Sequence, residues 1–307
     1  MKSKIVVTGG AGFIGSHISE ALSAEGYEVV IIDNLRTGNV EKLSGIKHTF
    51  INGDIRDLNC LCSAFQNVDT VFHLAAALSV PESMEKPVEY NDINGNGTLN
   101  VIKAAQQCGV RRIVFSSSAA VYGDNPELPK IETMTPEPLS PYAVNKLDGE
   151  YYLNLFKSDT LSAVTLRYFN VFGPRQDPDS AYAAAVPIFI HHALKNQDIN
   201  IYGDGQQTRD FVFVKDIVGA NLHSRTAPAG VYNVGNNSTT IIQTLAEKII
   251  ALTNSKSKII NVPERPGEVK HSRASIEKMI STGWQPSHSF DKALEKTIEY
   301  YKEDFLS

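Results

Sequence analysis

The sequence predicts an α/β protein, a doubly wound parallel sheet with a smaller lobe interleaved toward the C-terminal end. Three observations predict it. Short β-branched runs alternate with amphipathic stretches up to about residue 170 of the 307. A glycine-rich turn separates the first run from the first amphipathic stretch. Beyond Asn170 the texture becomes rich in Gly, Pro and Asp before strand and helix patterns resume.

The elements follow in order. KIVVTG, beginning at Lys4, is a strand, and GFIGSHISEALSAEG after it is a helix. EVVIID, HTFINGD and TVFHLA are the next three strands. NGTLNVIKAAQQCG has helical periodicity, RRIVFSS and SAVTLRYF are strands, and SPYAVNK opens the helix between them. Alternation of this kind builds a parallel sheet with helices on both faces. VFGPRQDPDSAYA reads as a long loop shaped by a ligand. RDFVFVKDIVGANLHS and GVYNVGN read as elements returning to the sheet. TTIIQTLAEKIIALT and SFDKALEKTIEYYKEDF are late helices. Residues 1–170 with about 211–235 therefore form the first unit, and 171–210 with 236–307 the second.

The composition, 42% hydrophobic and 21% charged, suits a soluble enzyme with a sizeable core. A net charge of -5 without a Lys/Arg-rich block gives no footprint for nucleic acid. The N-terminal apolar run is too short for a signal-peptide core, and no stretch is long enough to span a membrane. Cys60, Cys62 and Cys108 make neither a disulfide framework nor a zinc pattern, so reduced thiols in a cytoplasmic protein are expected. His191 and His192 are adjacent, point to different faces of a helix, and suggest no metal.

TGGAGFIG places Gly9, Gly12 and Gly15 three residues apart between a strand and a helix. There the backbone can approach a pyrophosphate, and the helix N-terminus offers amide donors to its charge. Asp33 ends the second strand, 18 positions after Gly15, where a carboxylate accepts from the adenosine ribose hydroxyls. This is a Rossmann-like site for NAD. The carboxylate repels a 2′-phosphate, while Arg36 keeps NADP open. Asp54 reads equally as an adenine contact or as a helix N-cap.

SPYAVNK carries Tyr142 and Lys146 at i and i+4 on one helical face, with Ser140 suited to the cap and Pro141 to the first turn. A free phenol has a pKa of about 10, too high for a base at neutral pH. A neighbouring ammonium and a positive nicotinamide ring are expected to lower it. SSSAAVYG, from Ser116, ends a strand on hydroxyls and reads either as a catalytic edge or as an ordinary loop after a strand.

Together the glycine motif, the strand-end Ser and Tyr-x-x-x-Lys resemble the extended short-chain dehydrogenase/reductases. The resemblance runs nearly the whole chain, through HLAA, RYFNVFGPRQ and GDGQQTRDFVFV. Within that superfamily the chain is most similar to UDP-sugar 4-epimerases. The resemblance implies Ser118, Tyr142 and Lys146 as a catalytic trio. It implies that Leu74, Ala75, Ala76, Asn94 and Phe169 line NAD, with Phe13, Ile14, Asn34, Ile55 and Ser116 also along the cofactor. Related dehydratases carry Asp-Glu just after the strand-end hydroxyls, and related decarboxylases keep a Glu. Here Ala119 and Ala120 stand there instead, which favours oxidation and reduction at one carbon.

For the nucleotide, the resemblance implies Arg209 and Arg265 as diphosphate clamps, Tyr202 against the base, and Asn170 on the sugar nucleotide. Taken alone, each could instead be an ordinary surface residue, and for the two arginines that reading is favoured until the resemblance reverses it. Ser272 matches the position that tunes sugar size, and its smallness is expected to admit 2-acetamido sugars. Ser79 and Gln176 fit the branch acting on UDP-N-acetylglucosamine. A homodimer through helices near Asn96–Cys108 and Tyr142–Lys157 is implied as well. The rival readings are a reductase or dehydratase on the same fold, and a non-catalytic NAD-sensing regulator.

Overall fold

The computed structural model describes residues 2–178, 184–264 and 269–306. The first elements are β1 (Lys4–Thr8), α1 (Phe13–Ala24), β2 (Glu28–Asp33), β3 (Thr49–Asn52), α2 (Leu58–Ala64) and β4 (Val68–His73). Two short helices, α3 (Val80–Glu85) and α4 (Pro87–Tyr90), lead through a π-helical turn at Asn91–Asn96 into α5 (Gly97–Gln107). There follow β5 (Arg112–Ser118), α6 (Pro141–Phe156), β6 (Ser162–Tyr168), β7 (Asn170–Phe172), α7 (Ala185–Leu194), β8 (Ile199–Tyr202) and β9 (Thr208–Arg209). The chain continues as β10 (Phe211–Phe213), α8 (Val214–His223), β11 (Gly230–Val234), β12 (Thr240–Ile241) and α9 (Ile242–Thr253). It closes with β13 (Ile259–Val262), α10 (Glu277–Ile280) and α11 (Phe290–Leu306).

Seven strands form one parallel sheet in the order β11-β6-β5-β4-β1-β2-β3. Successive strand residues point to opposite faces. Ile5, Val7, Ile31 and Val114 therefore join one core with α1 and α8, while Val6, Ile32, Val71 and Ile113 join another with α2 and α5. Each such aliphatic side chain, withdrawn fully from water, contributes about 1.5–3 kcal/mol. That two-sided burial is why these strands read as near-continuous apolar runs in the sequence.

The smaller lobe has its own core, in which Phe172, Phe189, Ile201, Phe211, Leu245 and Leu294 meet. Its strands pair as β7–β10, β8–β13 and β9–β12. Of the two segments expected to return to the sheet, β11 does so, pairing with β6. β10 does not, because β11 already fills that edge; it pairs instead with β7, the continuation of the chain past β6. α8, directly after β10, still covers the α1 face of the large sheet. The order reverses between β1 and β4, so the carboxyl ends of these strands open onto a crevice. Val121, Tyr122, Leu147, Phe169, Ala274 and Ile276 pack into a further small core.

Candidate active site

The crevice starts at the turn after β1. Gly9 has φ +71, and a Cβ there would lie 2.6 Å from the Ala75 amide nitrogen. A Cβ at Gly15 would lie 2.1 Å from the Gly9 carbonyl oxygen. The first glycine thus lets the β1 and β4 ends touch, and the last lets α1 pack on the turn. Gly12 is the N-cap of α1 and supplies no side-chain cap, so the first-turn amides keep their donor capacity. Phe13 and Ile14 sit in that turn, half-buried against the lobe cores.

One cleft gathers Gly9, Gly12, Asp33, Asn34, Asp54, Ile55, Leu74, Ala75 and Ala76. The Asp33 carboxylate is fixed by the Ala11 amide on Oδ2 and the Leu35 amide on Oδ1, both at 2.9 Å. Each oxygen keeps a lone pair for a ribose hydroxyl. Asp54 accepts from Asn34 Nδ2 at 2.8 Å and from Arg56, whose hydrogen bonds hold its carboxyl well below the usual range. The cap reading of Asp54 does not hold. The N-cap of α2 is Asp57, which accepts from the Asn59 and Cys60 amides, because the helix begins three residues later. Asn94 is buried with its amide committed to Ala77, accepting from its nitrogen at 2.8 Å and donating to its oxygen at 3.0 Å. It therefore pins the turn after β4 that forms one wall of the cleft.

The three serines alternate along the end of β5. The Ser116 carbonyl accepts from Lys146 Nζ at 2.7 Å, and Ser117 Oγ donates to Glu150. Ser118 Oγ accepts from the Ala120 amide at 3.1 Å at the head of a 3-10 turn. α6 begins as its sequence dictates, with Ser140 Oγ accepting from the Ala143 amide at 3.2 Å and Pro141 in the first turn. Tyr142 and Lys146 share a face, the ammonium 5.9 Å from the phenol ring centroid. Burial lowers the Lys146 pKa to about 8.

Burial also pushes the Tyr142 phenol up, with only a hydrogen bond from Ser118 opposing it. The expectation that the ammonium lowers the phenol is therefore not met by the chain alone. Lys146 Nζ is turned to the Ser116 carbonyl, and desolvation of the phenol dominates.

A second cleft is lined by Ser118, Ala119, Ala120, Phe169, Asn170, Arg209 and Ser272, together with Lys130 and His271. No carboxylate stands among its described lining residues. Asn170 and Arg209 also line a neighbouring cavity of about 400 Å³ that holds Tyr202, Phe189 and Phe211. The two spaces share those residues as lining, one beside the strand-end hydroxyl and one walled by aromatic rings. Arg209 Nη1 donates to the Thr208 and Lys270 carbonyls at 3.0 and 3.2 Å, which fixes the guanidinium between the two spaces it lines.

Two expected substrate residues lie elsewhere. Ser79 caps α3, its Oγ accepting from the Glu82 amide at 3.0 Å. Gln176 donates to the Val171 carbonyl at 3.4 Å and faces a separate cleft with Arg175 and Lys42. Arg265 lies outside the described residues.

Sequence reasoning missed two groups behind these walls. His73 bridges Thr8 at 2.8 Å and Thr98 at 3.0 Å. The buried Arg167–Glu150 pair, at 2.7 Å, ties α6 to β6. Their partners are distant in sequence; the only local hint was a polar residue inside each apolar run. Among the described residues no cluster of His, Cys, Asp or Glu has metal-binding geometry, and no helix is long and apolar enough to cross a membrane.

The chain is similar to known proteins over nearly its whole length. The model of the NAD dependent epimerase/dehydratase family matches residues 5–235. A putative UDP-glucose 4-epimerase of Methanocaldococcus jannaschii is 40% identical over 301 residues, covering 97% of this chain and 98% of the relative. The solved UDP-N-acetylglucosamine 4-epimerase of Methanobrevibacter ruminantium, in complex with UDP-N-acetylmuramic acid, is 41% identical. It superposes with a TM-score of 0.95 over 99% of this chain and 100% of that one. The UDP-glucose 4-epimerase of Thermotoga maritima with UDP-glucose is 36% identical, with a TM-score of 0.95 over 98% and 99% of the two chains.

Proposed function

The chain belongs to the NAD dependent epimerase/dehydratase family, and from that premise we propose that it inverts carbon 4 of a UDP-hexose, UDP-N-acetylglucosamine and UDP-glucose among them. The observation that carries this reading is Ser118, which neighbours the buried Tyr142 phenol and lines a cleft that has alanines where an acid would be needed to expel water or carbon dioxide. NAD, held along the glycine turn, Asp33 and the Leu74–Ala76 wall, supplies a hydride acceptor that later returns the same hydride.

The protein's own groups handle the proton. Tyr142 oxygen takes the proton of the sugar 4′-hydroxyl, with Ser118 hydrogen-bonded to both, and the carbon–oxygen bond becomes a carbonyl as the hydride departs. Lys146, on the same helical face as Tyr142, fixes the nicotinamide ribose. The positive charge that comes with the cofactor opposes the desolvation of the Tyr142 phenolate. The keto sugar turns about its phosphate link, receives the hydride on its other face, and regains the proton from Tyr142. No group is consumed.

Arg209 and Arg265 hold the diphosphate, Tyr202 and the aromatic cavity take the uracil, and Asn170 orients the join between nucleotide and sugar. Ser272, small and facing the Ser118 cleft, leaves room for a 2-acetamido group. A homodimer is part of the proposal. It is supported by Val144, Tyr151 and Leu155 on one face of α6, which are 41%, 53% and 72% exposed. The cytoplasm is the proposed compartment, in keeping with three free thiols.

Product chromatography with UDP-N-acetylglucosamine and UDP-glucose tests the reading. Wild-type protein should convert both, and Tyr142→Phe should lose a factor of roughly 10²–10⁴ in kcat while still binding the UDP-sugar. Undiminished turnover would remove Tyr142 from its role. Conversion of UDP-glucose alone would remove the acetamido reading of Ser272.

A further inference from the structure

Arg36 occupies the position from which a cation recognises the 2′-phosphate of NADP, just past the carboxylate that ends β2. It lines the adenosine end of the cofactor cleft beside Asp33. Its guanidinium is nevertheless engaged at both ends. Nη2 donates to Glu82 Oε1 at 3.2 Å and Nη1 donates to Glu89. These carboxylates come from α3 and α4, across the mouth of the cleft.

Glu82 is itself built into place, accepting from Lys86 Nζ at 3.0 Å and from the Tyr90 hydroxyl at 2.9 Å. The neighbouring guanidinium repeats the pattern, Arg56 binding Asp54 at 2.8 Å and Asp92 at 3.1 Å. Five carboxylates (Asp33, Asp54, Glu82, Glu89 and Asp92) thus surround three cations (Arg36, Arg56 and Lys86) at this end. Asp33 cannot swing aside, because two backbone amides hold it.

We infer that Glu82 and Glu89 determine cofactor preference by locking Arg36, so that a 2′-phosphate would meet the Asp33 charge with no guanidinium to answer it. The inference rests on the dinucleotide reading of the cleft and deepens it. Arg36 and Glu89 are 34% and 41% exposed, and a single exposed pair is worth only about 0–1 kcal/mol. One carboxylate would make a weak lock. Two on opposite ends of one fork must both be displaced before the fork can turn to a phosphate.

The test equilibrates each purified holoprotein with equal NAD and NADP, then quantifies retained nucleotide by liquid chromatography after desalting. Wild-type protein should retain NAD almost alone. Glu82→Gln/Glu89→Gln should raise the NADP:NAD ratio by at least about tenfold, equivalent to about 1.4 kcal/mol. Glu89→Gln alone, which leaves the Glu82 bonds to Tyr90 and Lys86 in place, should raise it by a smaller factor. Adding Arg36→Ala to the double variant should abolish the gain.

An unchanged ratio in Glu89→Gln and in a double variant that still retains NAD would overturn the inference. So would a gain that survives Arg36→Ala, since general charge relief would then explain it. A wild type retaining neither nucleotide would overturn the dinucleotide reading beneath.

Discussion

At the residue scale, His73 shows what a single buried ring contributes. Both its nitrogens are bound to threonine hydroxyls, and burial, with the Lys146 charge behind it, lowers its pKa from 6.5 to about 3. Between those two values the unfolded chain binds the proton that the folded chain refuses. The stability held in this neutral ring is therefore intact above pH 6.5 and is lost as the pH falls toward 3. Urea denaturation at intervals from pH 7 to pH 4 should show a steep loss for wild type and a shallower one for His73→Gln. Equal slopes would contradict the assignment. None of this was legible in the sequence, because Thr8 and Thr98 lie 65 and 25 positions away. Tyr142, Lys146, Gly9 and Asp33 were legible, because local spacing sets their geometry: a helical turn for the pair, a strand end for the others. The serines fell between. Their strand position was readable, but only the pleat assigns Ser117 to Glu150 and Ser118 to the cleft.

At the element scale, α6 carries the chemistry and is anchored from beneath. Glu150 follows Lys146 by one turn on the same face and meets Arg167 of β6, the two 4% and 5% exposed. Arg167 also lies 4.8 Å from the Tyr122 ring centroid, and Tyr122 OH donates to Asn233 at 2.7 Å. α6, β5, β6 and β11 are thereby joined through one buried polar group. A buried pair of this kind is costly to break from one side, because the remaining charge is left without a partner. Arg167→Met should cost about 3–5 kcal/mol in chemical denaturation, whereas Glu150→Leu/Arg167→Met should recover most of it. Equal losses in the single and double variants would show that the charge is not the issue. The start of α6 was legible, since Ser140 and Pro141 are local signals, but its seat was not. An Arg in one strand and a Glu in a helix become partners only when the sheet order is known.

At the scale of the whole molecule, the change in texture after Asn170 suggests a second unit, while the pairing of β7 with β10 was not readable. Two- and three-residue strands carry too few side chains to show a period. The same limit explains Ser79 and Gln176, placed by likeness of local motif rather than by the folds of the chain around them. The exposed face of α6 is also a property of the whole. Leu155→Glu should shift the protein from dimer to monomer in light scattering, and a monomeric wild type would remove the dimer proposal. In the proposed reaction one hydride leaves carbon 4 and comes back to the opposite face. UDP-N-acetylglucosamine deuterated at carbon 4, incubated with the purified protein without added nucleotide and followed by NMR, tests it most directly. UDP-N-acetylgalactosamine should form with the deuterium retained at carbon 4; loss of the label to solvent, or accumulation of a free keto sugar, would overturn the single-hydride route.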